Sequence, residues 1–498
     1  MSRGEQTQKQ GVHRAALSSA DAAGTVYFSS NDADPVYRAI GTKQAQHVKQ
    51  LFDCGLVSVL ASKGLIPGIK ISEGCLGEYA MVLEQDRISP VIYPYEWSPE
   101  MLRAAALCVL DVNEAANAFG YELKDAHPYN IVFDCGKPVF VDIGSLQQRR
   151  STEVWAAEEE FVDCYCRPLA LIQRGLIDLY RRVFFLRGKM ESVDLAVTAC
   201  RIYGLLGVRV TRWIFKLFWR YKRSSLLSRE RIERHVKYTR LAETIVKAFA
   251  SKHWPFRCPN IGLLRKRIRS YRLMTHSMWS DYHQTSGFYD TSGELRLPLR
   301  MQWIVQTVES FAPASILELA GNQGVLSRAL AQLSSTRRVI CADYDLHAVD
   351  QLFLRVNAED EKIHMACFNF MGDVCESLTG ERARRLRSEM LIVLAVTHHL
   401  LLTQNHSLQS VLEVLAAHTS KFIIIEFMPL GLWDGENAPP VPDWYNEAWF
   451  LQIFEKFFIV LNRVQLEPNR IAFVGELQNA YKESTHFMNT CASGSLSE

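Results

Sequence analysis

The chain is 498 residues long, too long for one ordinary core, and at about 150 residues per domain it suggests two or three domains. With 48% hydrophobic and 22% charged residues it reads as globular, which excludes a wholly disordered chain. A net charge of +2 excludes a chain-wide basic field, so no nucleic-acid partner is expected.

In chain order, the opening MSRGEQTQKQGVHR has no apolar segment of a secretory signal. No apolar run of about 18 residues occurs, so no membrane-spanning helix is expected. The 12 cysteines never fall as Cys-x-x-Cys. That pattern predicts reduced thiols, a cytoplasmic location and no metal site. Residues 1–33 are polar and rich in Ala, Ser and Gln, and are expected to be disordered.

Residues 34–150 mix short apolar runs with helical spacing, an α+β pattern. Met101 to Phe119 has apolar residues three and four apart and reads as an amphipathic helix. Ile131–Phe133 and Val139–Val141 flank Asp134-Cys135-Gly136-Lys137-Pro138, a hairpin signal. Asp125 and Asn130 precede this hairpin, and Asp142-Ile143-Gly144 closes it.

That arrangement resembles the catalytic loop and Asp-x-Gly of kinases. There an Asp orients a hydroxyl while an Asn and a second Asp hold magnesium. No Gly-x-Gly-x-x-Gly loop lies upstream, and Lys70 is the best candidate for a nucleotide-facing lysine. The region is therefore read as reduced and kinase-like, with Asp125, Asn130 and Asp142 inactive.

Residues 151–275 read as a helical, basic connecting region. Between 201 and 240 stand twelve Lys or Arg and two acids, a local charge of +10. Within 209–223 a basic stripe lies beside Trp213, Phe215, Phe218 and Trp219. Peripheral contact with the inner membrane fits this pattern. So does a charged helix packed between two domains.

From 276 to 480 strand and helix patterns alternate, the mark of a doubly wound α/β sheet. Residues 481–498 form a polar tail. Ser315 to Leu319 is an apolar strand carrying Glu318, followed by the turn Ala320, Gly321, Asn322, Gln323, Gly324 and then a helix. Small turn residues let the backbone approach a nucleotide-like ligand. An acid at the strand end can hold a cationic amino group. The next strand, Arg338 to Ala342, ends in Asp343, a carboxylate suited to both ribose hydroxyls.

Met365 to Phe370 reads as a third strand, with Asn369 toward an adenine. Met390 to Val396 is a fourth, running into Thr397-His398-His399, where histidines can serve as proton acceptors. Lys421 to Phe427 is a fifth, and Phe457–Leu461 with Arg470–Val474 makes a terminal antiparallel pair.

This order resembles the class I S-adenosylmethionine-dependent methyltransferase fold. The fold class expected is therefore α/β: a C-terminal Rossmann-like methyltransferase sheet, preceded by the kinase-like α+β region and the basic helical segment. The resemblance implies S-adenosylmethionine as cofactor. It assigns Glu318, Ala320, Gly321, Asn322, Gly324, Asp343 and Asn369 to cofactor binding and His398 and His399 to catalysis. The chain departs from the family's three-glycine loop at Ala320 and Asn322. Asn accepts the left-handed backbone such a loop needs.

Segments 92–97 (IYPYEW), 123–130 (LKDAHPYN), 138–145 (PVFVDIGS) and 395–400 (AVTHHL) occur together. In this the chain is similar to a bacterial two-part methyltransferase-like family that includes rhizobial host-specific nodulation proteins. That resemblance implies a small-molecule or glycolipid acceptor, such as a lipochitooligosaccharide signal in host-specific nodulation. Two other readings stay open: a phosphotransferase with a methyltransferase appendage, and a non-catalytic S-adenosylmethionine-binding scaffold.

Overall fold

Runs of Val, Ile and Leu bounded by small turn residues become strands, and the apolar stripes between them become the helices that cover a sheet. A computed structural model describes residues 12–14, 24–29, 34–74, 76–150, 155–177, 180–181, 260–273, 297–356, 362–372, 380–433, 436–437 and 439–481. The chain divides into two units. One comprises 1–87, 102–132 and 138–275; the other comprises 88–101, 133–137 and 276–498.

In the first unit, β1 (Val12–Arg14), β2 (Thr25–Ser29), β3 (Val36–Ile40), β4 (Ile69–Ile71) and β5 (Met81–Gln85) form an antiparallel sheet of order β1-β2-β3-β5-β4. Helices Thr42–Asp53 and Leu56–Ser62 stand between β3 and β4. After helix Pro99–Asn117 come β6 (Tyr121–Leu123), β7 (Ile131–Asp134), β8 (Lys137–Phe140) and β9 (Leu146–Gln148). Here β6 pairs with β9 and β7 with β8. The expected hairpin forms; its tip, 133–137, is grouped with the second unit, and Cys135 there has φ 51°.

The expectation of disorder across 1–33 fails at β1 and β2. Val26, Tyr27 and Phe28 are residues that favour strands, and Tyr79 donates a 2.9 Å hydrogen bond to Thr25 while its ring meets Tyr27 edge-on. The composition that suggested disorder belongs to the flanking residues. Within 151–275 the described helices are Glu158–Phe161, the π-helical Val162–Cys166, Arg167–Gln173 and Ile261–Ser270. The basic stretch 209–223 and most of 1–33 and 481–498 lie outside the described residues. Among the described residues no helix is long and apolar enough to cross a membrane.

In the second unit, β10 (Ser315–Leu319), β11 (Arg338–Asp343), β12 (Ile363–Cys367), β13 (Ser388–Val393), β14 (Thr419–Phe427), β15 (Phe458–Glu467) and β16 (Arg470–Leu477) form one sheet of order β12-β11-β10-β13-β14-β16-β15. The first five strands of that order are parallel, while β16 runs antiparallel to both β14 and β15. This is the α/β arrangement that the resemblance implied, parallel strands followed by a C-terminal antiparallel pair. Ile316, Val339, Ile392 and Ile424 on the strands pack with Ile304 and Val308 of helix Leu299–Phe311 into one core.

Segment 88–101 belongs to this second unit. Its Glu96 is fully buried and receives Arg382 Nε at 2.7 Å and Arg385 Nη2 at 2.6 Å. Arg382 also lies 4.6 Å over the Phe368 ring, and Arg385 lies 4.5 Å over Tyr93. Removing one member of a buried charge cluster leaves the others desolvated and unpaired. Glu96→Ala is therefore expected to cost the second unit about 3–5 kcal/mol, read by urea unfolding. A loss below about 1 kcal/mol would show that water already screens these arginines.

Candidate active site

The site is built where β10 and β11 leave the sheet. Their parallel register sets Glu318 beside Cys341 and Leu319 beside Ala342, so both strands end on one edge. The loop between β10 and the helix Val325–Ala331 is tight. Ala320, Asn322 and Gly324 all have positive φ, at 56°, 49° and 67°. A side chain at Gly321 would put its Cβ 2.6 Å from Cys341 Sγ and 3.0 Å from Glu318 Cδ. At Gly324 a Cβ would meet Leu352 Cδ1 at 2.6 Å, in a backbone conformation that already favours glycine.

Asn322 therefore replaces a glycine where the left-handed region is needed and space allows a side chain. Its amide donates to Asp343 Oδ2 at 2.8 Å, and the Asp345 amide donates to Asp343 Oδ1 at 2.8 Å. The acid at the end of β11 thus holds the loop after β10 in place.

The two carboxylates differ from ordinary surface acids. Burial pushes the Glu318 carboxyl up to about 7, against hydrogen bonds from the Ser327 hydroxyl and backbone that pull it down. Burial likewise raises Asp343 to about 6, opposed by the Asp345 and Asn322 amides. Both acids bind protons more readily than a free side chain does, because burial disfavours the charged form and no cation among their hydrogen-bond partners offsets it among the described residues. A glycine cradle with no room for a Cβ, beside two such acids, fits a ligand carrying a cationic amino group and a ribose.

Asn369 follows β12, and the Phe368 amide donates to the Asp343 carbonyl at 3.1 Å, bringing the ends of β11 and β12 together. Asn369 Oδ1 accepts from the Met371 amide at 3.0 Å, so part of its capacity is used locally. Tyr344, 55% exposed, stands directly after Asp343. The sequence reading passed over it, although an aromatic ring following a strand-ending acid was a visible signal.

His398 and His399 lie just past β13. Their rings are 4.1 Å apart. His398 is buried, and its Nδ1 has no hydrogen-bond partner among the described residues. Burial, then His399 and Arg470, hold His398 down to about 3; burial alone lowers His399. Both rings are therefore neutral near pH 7, and His399 is the more open of the two.

In the first unit the structure brings Asp125, Asn130 and Asp142 together. Asn130 Nδ2 donates to Asp125 Oδ1 at 2.6 Å, and the Ser145 hydroxyl donates to the same carboxylate. Asp142 accepts from the Gly144 amide at 3.1 Å and forms an ion pair with Arg38 of β3. Lys70, favoured from sequence, points elsewhere: it pairs with Glu84 at 2.9 Å and its side chain is 75% exposed. The cation that meets Asp142 is Arg38, which the sequence reading missed. Among the described residues no group of three or more His, Cys, Asp or Glu is placed to hold a metal ion.

No protein-family model matches the chain. It is similar to nodulation protein NoeA of Rhizobium meliloti (strain 1021), with 26% identity over 365 residues, covering 71% of this chain and 72% of that protein. Solved structures that align with it include an S-adenosylmethionine-dependent methyltransferase from Clostridium acetobutylicum ATCC 824. That match has 10% identity and a TM-score of 0.30, covering 39% of this chain and 98% of the other. Another is the N-methyltransferase NodS from Bradyrhizobium japonicum WM9, with 12% identity and a TM-score of 0.27, covering 36% of this chain and 93% of the other.

The raised Glu318 carboxyl has a stability consequence with a definite sign. The native state holds a proton that the unfolded chain releases near 4.5, so the contribution is complete below that pH and lost as pH rises through about 7. Relative to Glu318→Gln, the unmodified protein is expected to lose about 3 kcal/mol between those limits. Comparing the two proteins by denaturant unfolding removes the opposing effect of the buried histidines. A gap that stays constant from pH 4 to 8 would mean that Glu318 ionises as if exposed.

Proposed function

We propose that the second unit is an S-adenosylmethionine-dependent methyltransferase acting on a small-molecule acceptor. The observation that carries this reading is the pair of carboxylates at adjacent strand ends, Glu318 buried and Asp343 half-buried, neither hydrogen-bonded to a cation among the described residues, in a sheet of methyltransferase order. When bound, S-adenosylmethionine supplies a methyl group on a sulfonium. Glu318 would hold its amino group, the backbone from Ala320 to Gly324 would lie against its amino-acid portion, and Asp343 would take the ribose hydroxyls. Asn369 and Tyr344 would border the adenine.

The residues after β13 face the acceptor in this reading. Alignment and exclusion of water are the main contributions a protein makes to such a displacement. His399 is the better proton acceptor for a hydroxyl or amine, because His398 is held too low to take a proton near neutrality. The similarity to NoeA supports a place in nodulation, with a lipochitooligosaccharide as the acceptor class to try first.

For the first unit we read a kinase-like remnant without phosphotransfer. Its support is the Arg38 ion pair, which occupies the carboxylate that would otherwise hold magnesium. Little or no ATP hydrolysis is expected with magnesium. A turnover that disappears in Asp125→Ala would overturn this.

S-adenosylhomocysteine is expected to raise the melting temperature, because a ligand selective for the native state stabilises it by mass action. Glu318→Ala and Asp343→Ala should each abolish the rise. Binding near pH 6.5 should also release protons, since a cationic amino group ionises Glu318. Calorimetry in buffers of different ionisation enthalpy reads that release. No melting shift at millimolar ligand in the unmodified protein would sink the cofactor assignment.

A further inference from the structure

An acid inside an otherwise apolar buried strand is costly unless its charge is matched. Glu426 is such an acid, next to last in β14 and fully buried. Strand β13 ends at Val393, opposite Ile425, so the chain leaves the sheet beside Glu426. Glu426 Oε2 accepts the Ala395 amide at 3.0 Å, and its backbone carbonyl accepts the Thr397 hydroxyl at 2.7 Å. One residue therefore ties both ends of Ala395–Thr397, immediately before His398.

The tie is needed, because Ala395 sits at φ 51°, which residues other than glycine rarely adopt. The carboxylate is itself held. Arg470 Nη1 reaches Oε2 at 2.9 Å and Arg300 Nη1 reaches Oε1 at 3.3 Å. Glu467 takes the far side of both arginines, at 2.9 and 3.4 Å. Two arginines and two glutamates close the charge balance from four elements: helix Leu299–Phe311, β14, the end of β15 and the start of β16.

We propose that Glu426, clamped by Arg300 and Arg470, is the positioning residue that fixes the acceptor-side loop and with it the buried setting of His398. Calling the loop the acceptor side rests on the methyltransferase reading; the fixing of the loop does not. Apolar residues of similar shape would stabilise a core as well as a buried ion cluster does. What they would lack is the carboxylate that receives the Ala395 amide.

The test uses two variants of the full chain. Glu426→Gln keeps the shape and removes the charge. Thr397→Val removes the second tie and leaves all four charged groups intact, so it reports even if Glu426→Gln folds poorly. Histidine ring signals are followed by NMR against pH, with His398→Asn and His399→Asn for assignment. The His398 titration is expected to move up toward 6.5 by a unit or more in Thr397→Val; in Glu426→Gln the rise is smaller, because Arg470, having lost the Glu426 carboxylate, holds the ring down. His364, on β12 and also held low by burial, should not move. A general loosening of the unit would shift both histidines together.

Amide exchange in a peptide covering 394–404 should speed up at least tenfold. The affinity for S-adenosylhomocysteine should change less than threefold, since the loops after β10 and β11 are untouched. Unchanged exchange and unchanged His398 titration in folded Thr397→Val and Glu426→Gln would overturn the proposal, and so would a shift of His364 equal to that of His398. If the unmodified protein fails to bind S-adenosylhomocysteine while these changes occur, the methyltransferase reading fails and the positioning role stands.

Discussion

Parallel strands all leave a sheet at the same edge, and in the second unit that edge gathers carboxylates. Glu318 on β10, Asp343 on β11 and Glu426 on β14 come from distant points of the sequence, and the parallel order puts all three at or beside the strand ends. Each is taken largely out of water, and each must be satisfied by something. Glu426 has two arginines. Asp343 has two backbone amides. Glu318 has Ser327.

The loops follow from those differences. The amide bonds to Asp343 hold Asn322 in its left-handed conformation, which in turn sets the turn before Gly324. The bond to Glu426 does the same for Ala395. In both places a carboxylate at a strand end stabilises a positive φ that a residue other than glycine would resist. The departure from three glycines is thus compensated by hydrogen bonding and not by backbone freedom.

Much of the second unit was legible because its signals are local. An apolar strand, an acid, a turn of small residues and a helix occupy one short stretch, and the alternation of such units marked an α/β sheet, while its arrangement was what the family resemblance implied. The histidines after β13 could be placed in the same way. What was hidden depends on distance along the chain. Arg38 and Asp142 are 104 residues apart, and Glu96 and Arg382 are 286 apart. No periodicity connects such pairs. The strands β1 and β2 were masked by the polar composition around them. Glu426 was visible as an acid in an apolar strand, yet its partners Arg300 and Arg470 lie far away on either side.

Asp142 of the first unit and Glu318 of the second are satisfied in opposite ways, and this decides where a cation can bind. In the first unit Asp142 already holds the guanidinium of Arg38. A metal ion or other cation arriving there must displace a buried partner, and breaking such a pair costs about 3–5 kcal/mol. In the second unit Glu318 has no positive partner among its hydrogen bonds, and burial raises its affinity for a proton. A cationic group entering beside it competes with that proton, which is only partly bound near pH 7. The proton leaves to solvent at little cost, and the new ion pair is strengthened by the same burial that disfavoured the bare carboxylate. Charge complementarity therefore favours a cationic ligand at the end of β10 and disfavours one at the end of β8.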